Sequence, residues 1–178
     1  QKKQEIGIER KRDILGSQTS KVFLSLGSNL GNKKKNLEIA KLLLLSETKK
    51  ISIIKSSSYY STPSWPDKNQ PFFLNIALEI STIYNPVELF HFIKNIESML
   101  GRKKAPKNSP RLCDIDILDF NQKIFDIKIN NEKLIIPHPR MHKRNFVLIP
   151  LFEINKAWIH PIKKQDIKTL ILTLSNRD

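Results

Sequence analysis

The chain has 178 residues with a single cysteine, which fits one stable domain and excludes an internal disulfide framework. No apolar run approaches the ~18 residues of a membrane span, and no charged start leads into the apolar stretch of a signal peptide, so a reducing, cytoplasmic setting is expected. The net charge of +14, from 31 Lys and Arg against 17 Asp and Glu, leaves two readings open: a polyanionic partner, or solvated lysines in a Lys-, Ile- and Asn-rich composition, since 24 of the 31 are Lys.

Residues 1–20 are polar and charged and read as a tail or linker. Residues 21–26 (K-V-F-L-S-L) form a short apolar strand that runs into a tight loop, 27–32 (G-S-N-L-G-N). Asn32 then caps a helix over 33–48, with Leu37, Ala40 and Leu44 on its apolar face. The β-branched and aromatic run 51–61 predicts a second strand, and 62–71, with three prolines, a loop. Residues 72–80 alternate: Leu74, Ile76, Leu78 and Ile80 share one face, Phe73, Asn75, Ala77 and Glu79 the other. Asn85-Pro86 starts a helix that runs to Leu100, with Gly101 just past its end. A basic loop over 102–110 precedes a strand over 112–120. A hairpin follows over 121–133, with a short strand near 124–129 and an extended 134–139. Helices are expected over 140–154 and 164–175. The order β-α-β-β-α-β with later additions predicts an α+β fold, a ferredoxin-like αβα sandwich with a central, mostly antiparallel sheet.

The segment 109–118 (S-P-R-L-C-D-I-D-I-L) is the most informative. On a strand, Asp114 and Asp116 point the same way, with Cα atoms roughly 6.5–7 Å apart, while Cys113, Ile115 and Ile117 face the core. Two adjacent like charges are unfavourable unless something positive lies between them. Mg²⁺ meets that need, because it takes one or two carboxylates and completes its shell with phosphate oxygens. D-x-D alone is equally compatible with a solvated acidic face.

Several segments in order resemble the 6-hydroxymethyl-7,8-dihydropterin pyrophosphokinase family of folate biosynthesis. They are 26–31 (L-G-S-N-L-G), 58–63 (S-Y-Y-S-T-P), 70–75 (Q-P-F-F-L-N), Ile96-Glu97 with Gly101-Arg102, 110–118, 137–141 (P-H-P-R-M) and 144–151 (R-N-F-V-L-I-P-L). The resemblance covers residue 21 to the end and implies a pyrophosphokinase domain over 21–178. It implies ATP-dependent pyrophosphoryl transfer to the pterin hydroxymethyl group, with AMP leaving and two Mg²⁺ ions held by Asp114 and Asp116. Arg102 and Arg111 match catalytic, phosphate-contacting arginines, and Glu97, His138 and Arg144 match further positions around ATP. Phe73 and Phe146 match a stacking pair for the flat pterin, and Asn75 an amide at its rim; Gly27, Thr62, Pro63 and Trp65 match the pocket around it. For Glu97 an ordinary helix-surface role is an equal alternative, and for Phe73 and Phe146 the alternative is simple core packing. The spacing of His138 and His142 suggests a helical metal pair, but Pro139 argues against one.

The chain departs from the family at Asn108 and Ser109, where an aromatic and a glycine often stand, and at Pro139, where some members have tyrosine. Residues 6–12 (I-G-I-E-R-K-R) resemble the closing strand of a dihydroneopterin aldolase, and the chain begins with Gln1. Both observations lead to the expectation of a fused upstream folate-pathway partner. Two other readings stand beside the enzyme: a basic ferredoxin-like nucleic-acid-binding module, and a non-catalytic copy within a fusion protein. Against the first, Asp114 and Asp116 lie where phosphates would have to sit; against the second, both aspartates, both arginines and Asn75 are present.

Overall fold

Alternation in the run around Val22–Leu26 sends successive side chains to opposite sides, and that strand becomes the centre of the sheet. The computed structural model describes residues 18–64, 69–101 and 110–175. In it β1 (Ser20–Ser28) lies between β4 (Phe73–Thr82) and β5 (Asp114–Phe120), antiparallel to both. β2 (Ile51–Ser56) extends the sheet beyond β4, and the short β3 (Tyr60–Thr62) also pairs with β4. The order β2-β4-β1-β5 with all neighbours antiparallel is the ferredoxin-like α+β arrangement that the element order predicts. A separate hairpin joins β6 (Phe125–Ile129) to β7 (Glu132–Ile136).

Two hydrophobic layers enclose the sheet. Val22, Leu24, Leu26, Ile76, Leu78 and Ile80 pack against Leu37, Ala40 and Leu44 of α1 (Lys33–Leu44) and Leu89, Ile93 and Ile96 of α2 (Pro86–Met99). On the opposite face, Phe23, Ala77 and Leu118 meet Val147, Leu148 and Leu151 of α3 (Asn145–Ile154), then Trp158 and, on α4 (Ile167–Ser175), Leu170. The register between β1 and β5 slips by one residue at Phe23–Leu24, so Phe120 returns to the same layer as Ile117 instead of alternating away from it.

The predicted caps form. The Asn32 side chain accepts the Lys35 N–H at 3.0 Å. Asn85 and Glu88 make a reciprocal capping box, with Pro86 in the first turn. Gly101 ends the second helix at φ +84°, a conformation that favours glycine.

Three predicted elements need correction. The strand expected over 51–61 is broken at Ser57, whose hydroxyl accepts the Ala77 N–H at 2.9 Å and displaces a ladder bond. The helix expected over 140–154 is a short 3₁₀ turn, Met141–Lys143, followed by an extended Arg144 (φ −132°, ψ 99°) and then α3. That extended residue aims the arginine into the cleft described below. The last helix begins at Ile167 rather than Lys164, because Asp166 Oδ1 accepts the Thr169 N–H at 2.9 Å and so sets the first turn.

Candidate functional site

Gly27 pairs with Asn75 on one side and Asp114 on the other; Ser25 pairs likewise with Ala77 and Asp116. The sheet thus lays an amide and two carboxylates across three neighbouring strands. Asn75 and Asp114 stand two strand spacings apart, roughly 10 Å. Gly27 makes the amide possible. A Cβ there would sit 2.8 Å from Asn75 Oδ1 and 3.4 Å from Phe73 Cδ1. Asn75 is buried, and its Nδ2 donates to Thr62 Oγ1 at 2.8 Å.

The acidic end is held by cations. Arg111 Nη1 bonds Asp114 Oδ2 at 3.0 Å. Its backbone is tied to buried Asn29, whose Oδ1 accepts the Arg111 N–H at 2.9 Å and whose own N–H donates to the Arg111 carbonyl at 3.2 Å. Asp116 Oδ2 lies 3.7 Å from His138 Nε2 and 3.9 Å from Arg144 Nη1. Burial, then repulsion from Asp114, pushes the Asp116 carboxyl up to about 7, against the pull of Arg144. About a third of its side-chain surface stays open to the cleft.

His138 is pushed down to about 4 by burial and by the charges of Arg144 and Arg140, so its ring is neutral at physiological pH. Its Nδ1 accepts the Arg140 N–H at 3.2 Å, which assigns the remaining ring proton to Nε2, facing Asp116. Arg144 Nε is buried with no hydrogen-bond partner among the described residues, and the guanidinium carbon lies 5.5 Å from the centre of the Phe146 ring.

Glu97 stands against the outer edge of β5. It is 1% exposed; Oε1 accepts the Ile115 N–H at 2.9 Å and Oε2 pairs with Lys94 at 3.2 Å. It braces the outer edge of β5 between the two aspartates.

These side chains surround one cleft of about 250 Å³. Gly27, Thr62, Pro63, Phe73, Asn75 and Phe146 line one part; Arg111, Asp114, Asp116, His138 and Arg144 line the rest. Trp65 and Arg102 lie outside the described residues. The cleft also takes in Ser25, Lys94 and Arg140, which sequence reasoning missed. Ser25 alternates with Gly27 on β1 and was findable by that rule. Lys94 looks like any other basic residue of a basic chain, and Arg140 stands in the segment 137–141 without an assigned role.

The donor set fits Mg²⁺. Two carboxylates share a face, each ionised form disfavours the other, and the cleft has room for phosphate oxygens to complete a shell. Among the described residues no group of three or more His, Cys, Asp or Glu gathers, so the pair is the candidate set.

The family model for 7,8-dihydro-6-hydroxymethylpterin-pyrophosphokinase (HPPK) matches residues 23–156. The chain belongs to this family. It is 42% identical over 132 residues to 2-amino-4-hydroxy-6-hydroxymethyldihydropteridine pyrophosphokinase of Bacillus subtilis, covering 74% of this chain and 76% of that protein. The Aquifex aeolicus protein of the same name is 38% identical over 149 residues, covering 83% and 88%. The folic acid synthesis protein fol1 of Pneumocystis carinii is 37% identical over 159 residues, 88% of this chain but only 20% of that protein. The crystal structure of wild-type Plasmodium falciparum HPPK-DHPS shares the fold at a TM-score of 0.71 and 18% identity, covering 90% of this chain and 46% of that one.

Proposed function

We propose that this chain transfers the pyrophosphoryl group of ATP to 6-hydroxymethyl-7,8-dihydropterin in folate biosynthesis. The observation that carries this reading is the cross-strand row Asn75–Gly27–Asp114. It sets an amide suited to a pterin rim and a carboxylate suited to a phosphate-bound cation in one cleft, at a separation a bicyclic substrate can span.

In the transfer the hydroxymethyl oxygen bonds to the β-phosphorus and gives up its proton to water, the bond from that phosphorus to the α,β-bridging oxygen breaks, and AMP leaves. Phe73 and Phe146 offer aromatic faces to the pterin. Asn75, oriented by Thr62, supplies a hydrogen bond at its edge. Arg111 and Arg144 donate to phosphate oxygens, and neutral His138 adds one N–H donor from Nε2. Asp114 and Asp116 would hold Mg²⁺, two ions by family resemblance, which would neutralise the triphosphate charge. Glu97 keeps the two aspartates in place through the Ile115 N–H. Arg102 and Trp65 keep the phosphate and pocket roles that the resemblance implies.

Residues 21–178 act as one pyrophosphokinase unit, preceded by a polar tail or linker over 1–20. The single buried cysteine supports a reducing, cytoplasmic setting. No helix among the described residues is long and apolar enough to cross a membrane. A nucleic-acid-binding module is disfavoured because two carboxylates line the one cleft where these arginines converge.

The test is AMP release from ATP and Mg²⁺ with and without 6-hydroxymethyl-7,8-dihydropterin. Pterin-dependent AMP is expected; ADP as product, or no product with ATP bound, would overturn the reading. Asp116→Asn should preserve the fold and lower turnover by roughly 10³-fold or more, as loss of a metal ligand does. A near-normal rate would remove Asp116 from the cation site.

A further inference from the structure

We propose that Arg140 is a further nucleotide contact, a guanidinium that binds the β- and γ-phosphates of the donor. The proposal rests on the pyrophosphokinase reading and adds to it a residue that the family resemblance does not assign. Four cations line the cleft: Lys94, Arg111, Arg140 and Arg144. Three already face carboxylates. Arg111 lies 3.0 Å from Asp114, Lys94 3.2 Å from Glu97 and Arg144 3.9 Å from Asp116. Arg140 has no ion-pair partner among the described residues. It is the cleft cation there whose charge the protein leaves uncompensated.

Its place is fixed although its side chain is exposed. The Arg140 N–H donates to His138 Nδ1 at 3.2 Å, and its carbonyl accepts the Lys143 N–H at 3.1 Å. Arg140 is tied through its backbone to His138, which lies 3.7 Å from Asp116, and lines the cleft with Arg144, so it belongs to the phosphate end. The far end, with Asn75, Thr62 and Phe73, suits the pterin. A guanidinium only donates hydrogen bonds, and it does so in pairs that match phosphate oxygens. An exposed arginine gains little in water. It gains much more once a multiply charged phosphate closes the cleft around it.

The test compares the full chain with Arg140→Gln and Arg140→Lys, titrated with ATP, inorganic pyrophosphate and AMP in the presence of Mg²⁺. Arg140→Gln should bind ATP and pyrophosphate about ten-fold more weakly and AMP almost normally. Arg140→Lys should recover part of the loss, because it restores the charge without the fork. The KM for pterin at saturating ATP should stay unchanged, and so should the melting temperature. Wild-type ATP affinity in Arg140→Gln would overturn the proposal, as would an equal loss for AMP or a matching rise in the pterin KM. These titrations need no turnover, so failure of the pyrophosphokinase reading would show separately as absent pterin-dependent AMP release.

Discussion

A single missing methyl group shapes the Asn75 end of the cleft. Gly27 stands in extended backbone that alanine can adopt, so its role is space rather than dihedral freedom. The Cβ of Gly27→Ala would lie 2.8 Å from Asn75 Oδ1, closer than atoms pack. Asn75 cannot swing aside without breaking its bond to Thr62. The substitution should raise the KM for pterin by about ten-fold, the worth of one buried hydrogen bond, and leave the KM for ATP almost unchanged. Equal increases in both would mean that the sheet, not the amide, had been disturbed. Asn75 itself was legible in the sequence, because an amide inside an apolar run needs a reason. The reason for Gly27 was not, since it depends on two strand registers that bring residues 48 and 87 positions away alongside it. Glu97 was legible as a motif residue, but its backbone partner was not. Only the packing of α2 against β5 shows that it holds the Ile115 N–H.

At the scale of elements, α3 works at both ends. Its start presents Arg144 and Phe146 to the cleft. Near its far end Glu153 accepts the Ser58 N–H at 2.9 and 3.1 Å, the Ser58 hydroxyl at 2.9 Å and the Tyr60 hydroxyl at 2.5 Å. That carboxylate straps down β3, three residues long, which carries Thr62 and leads to Pro63. One helix thereby sets the gap between Phe146 and the opposite wall. Glu153→Gln weakens the strap without adding bulk, so the pterin KM should rise about three-fold or more while the ATP KM stays near its original value. Restoring the carboxylate at one atom's shorter reach, in Glu153→Asp, should recover part of the effect. A change confined to the ATP KM would show that α3 positions only its arginine. The sequence could not reveal this device. S-S-S over 56–58 is compatible with continuous strand, and the partner that rewards the break lies 95 residues further on. The split of the helix expected over 140–154 has the same origin, because periodicity reports an apolar face but not a residue pulled straight to reach a ligand site.

For the molecule as a whole, charge and layering act together. The net charge of +14 pointed to phosphate or to nothing in particular, and only the fold shows four of the cations converging on one cleft. The same layering fixes how stability responds to acid. His138, His142 and His160 all titrate below the ordinary histidine value of 6.5, burial being the leading cause in each case. His160, pushed down to about 4, is nearly enclosed, with the His142 and Trp158 rings 5.8 and 5.6 Å away. Its Nδ1 accepts the Ile162 and Lys163 N–H groups at 3.2 and 3.3 Å. A folded value below the unfolded one means that the unfolded chain binds the proton first as pH falls. The stabilisation is therefore complete above about 6.5 and is lost on the way down to about 4. Each proton taken up also adds to a chain that is already strongly positive. The melting temperature should fall over that range, less steeply than the histidines alone would make it because the raised Asp116 carboxyl takes up its proton first in the folded chain, and His160→Asn should make the fall shallower, because asparagine Oδ1 replaces the Nδ1 acceptor without titrating. Parallel curves for the two proteins would mean that His160 is neutralised no more in the folded chain than in the unfolded one, and that the acid response arises at His138 and His142 instead.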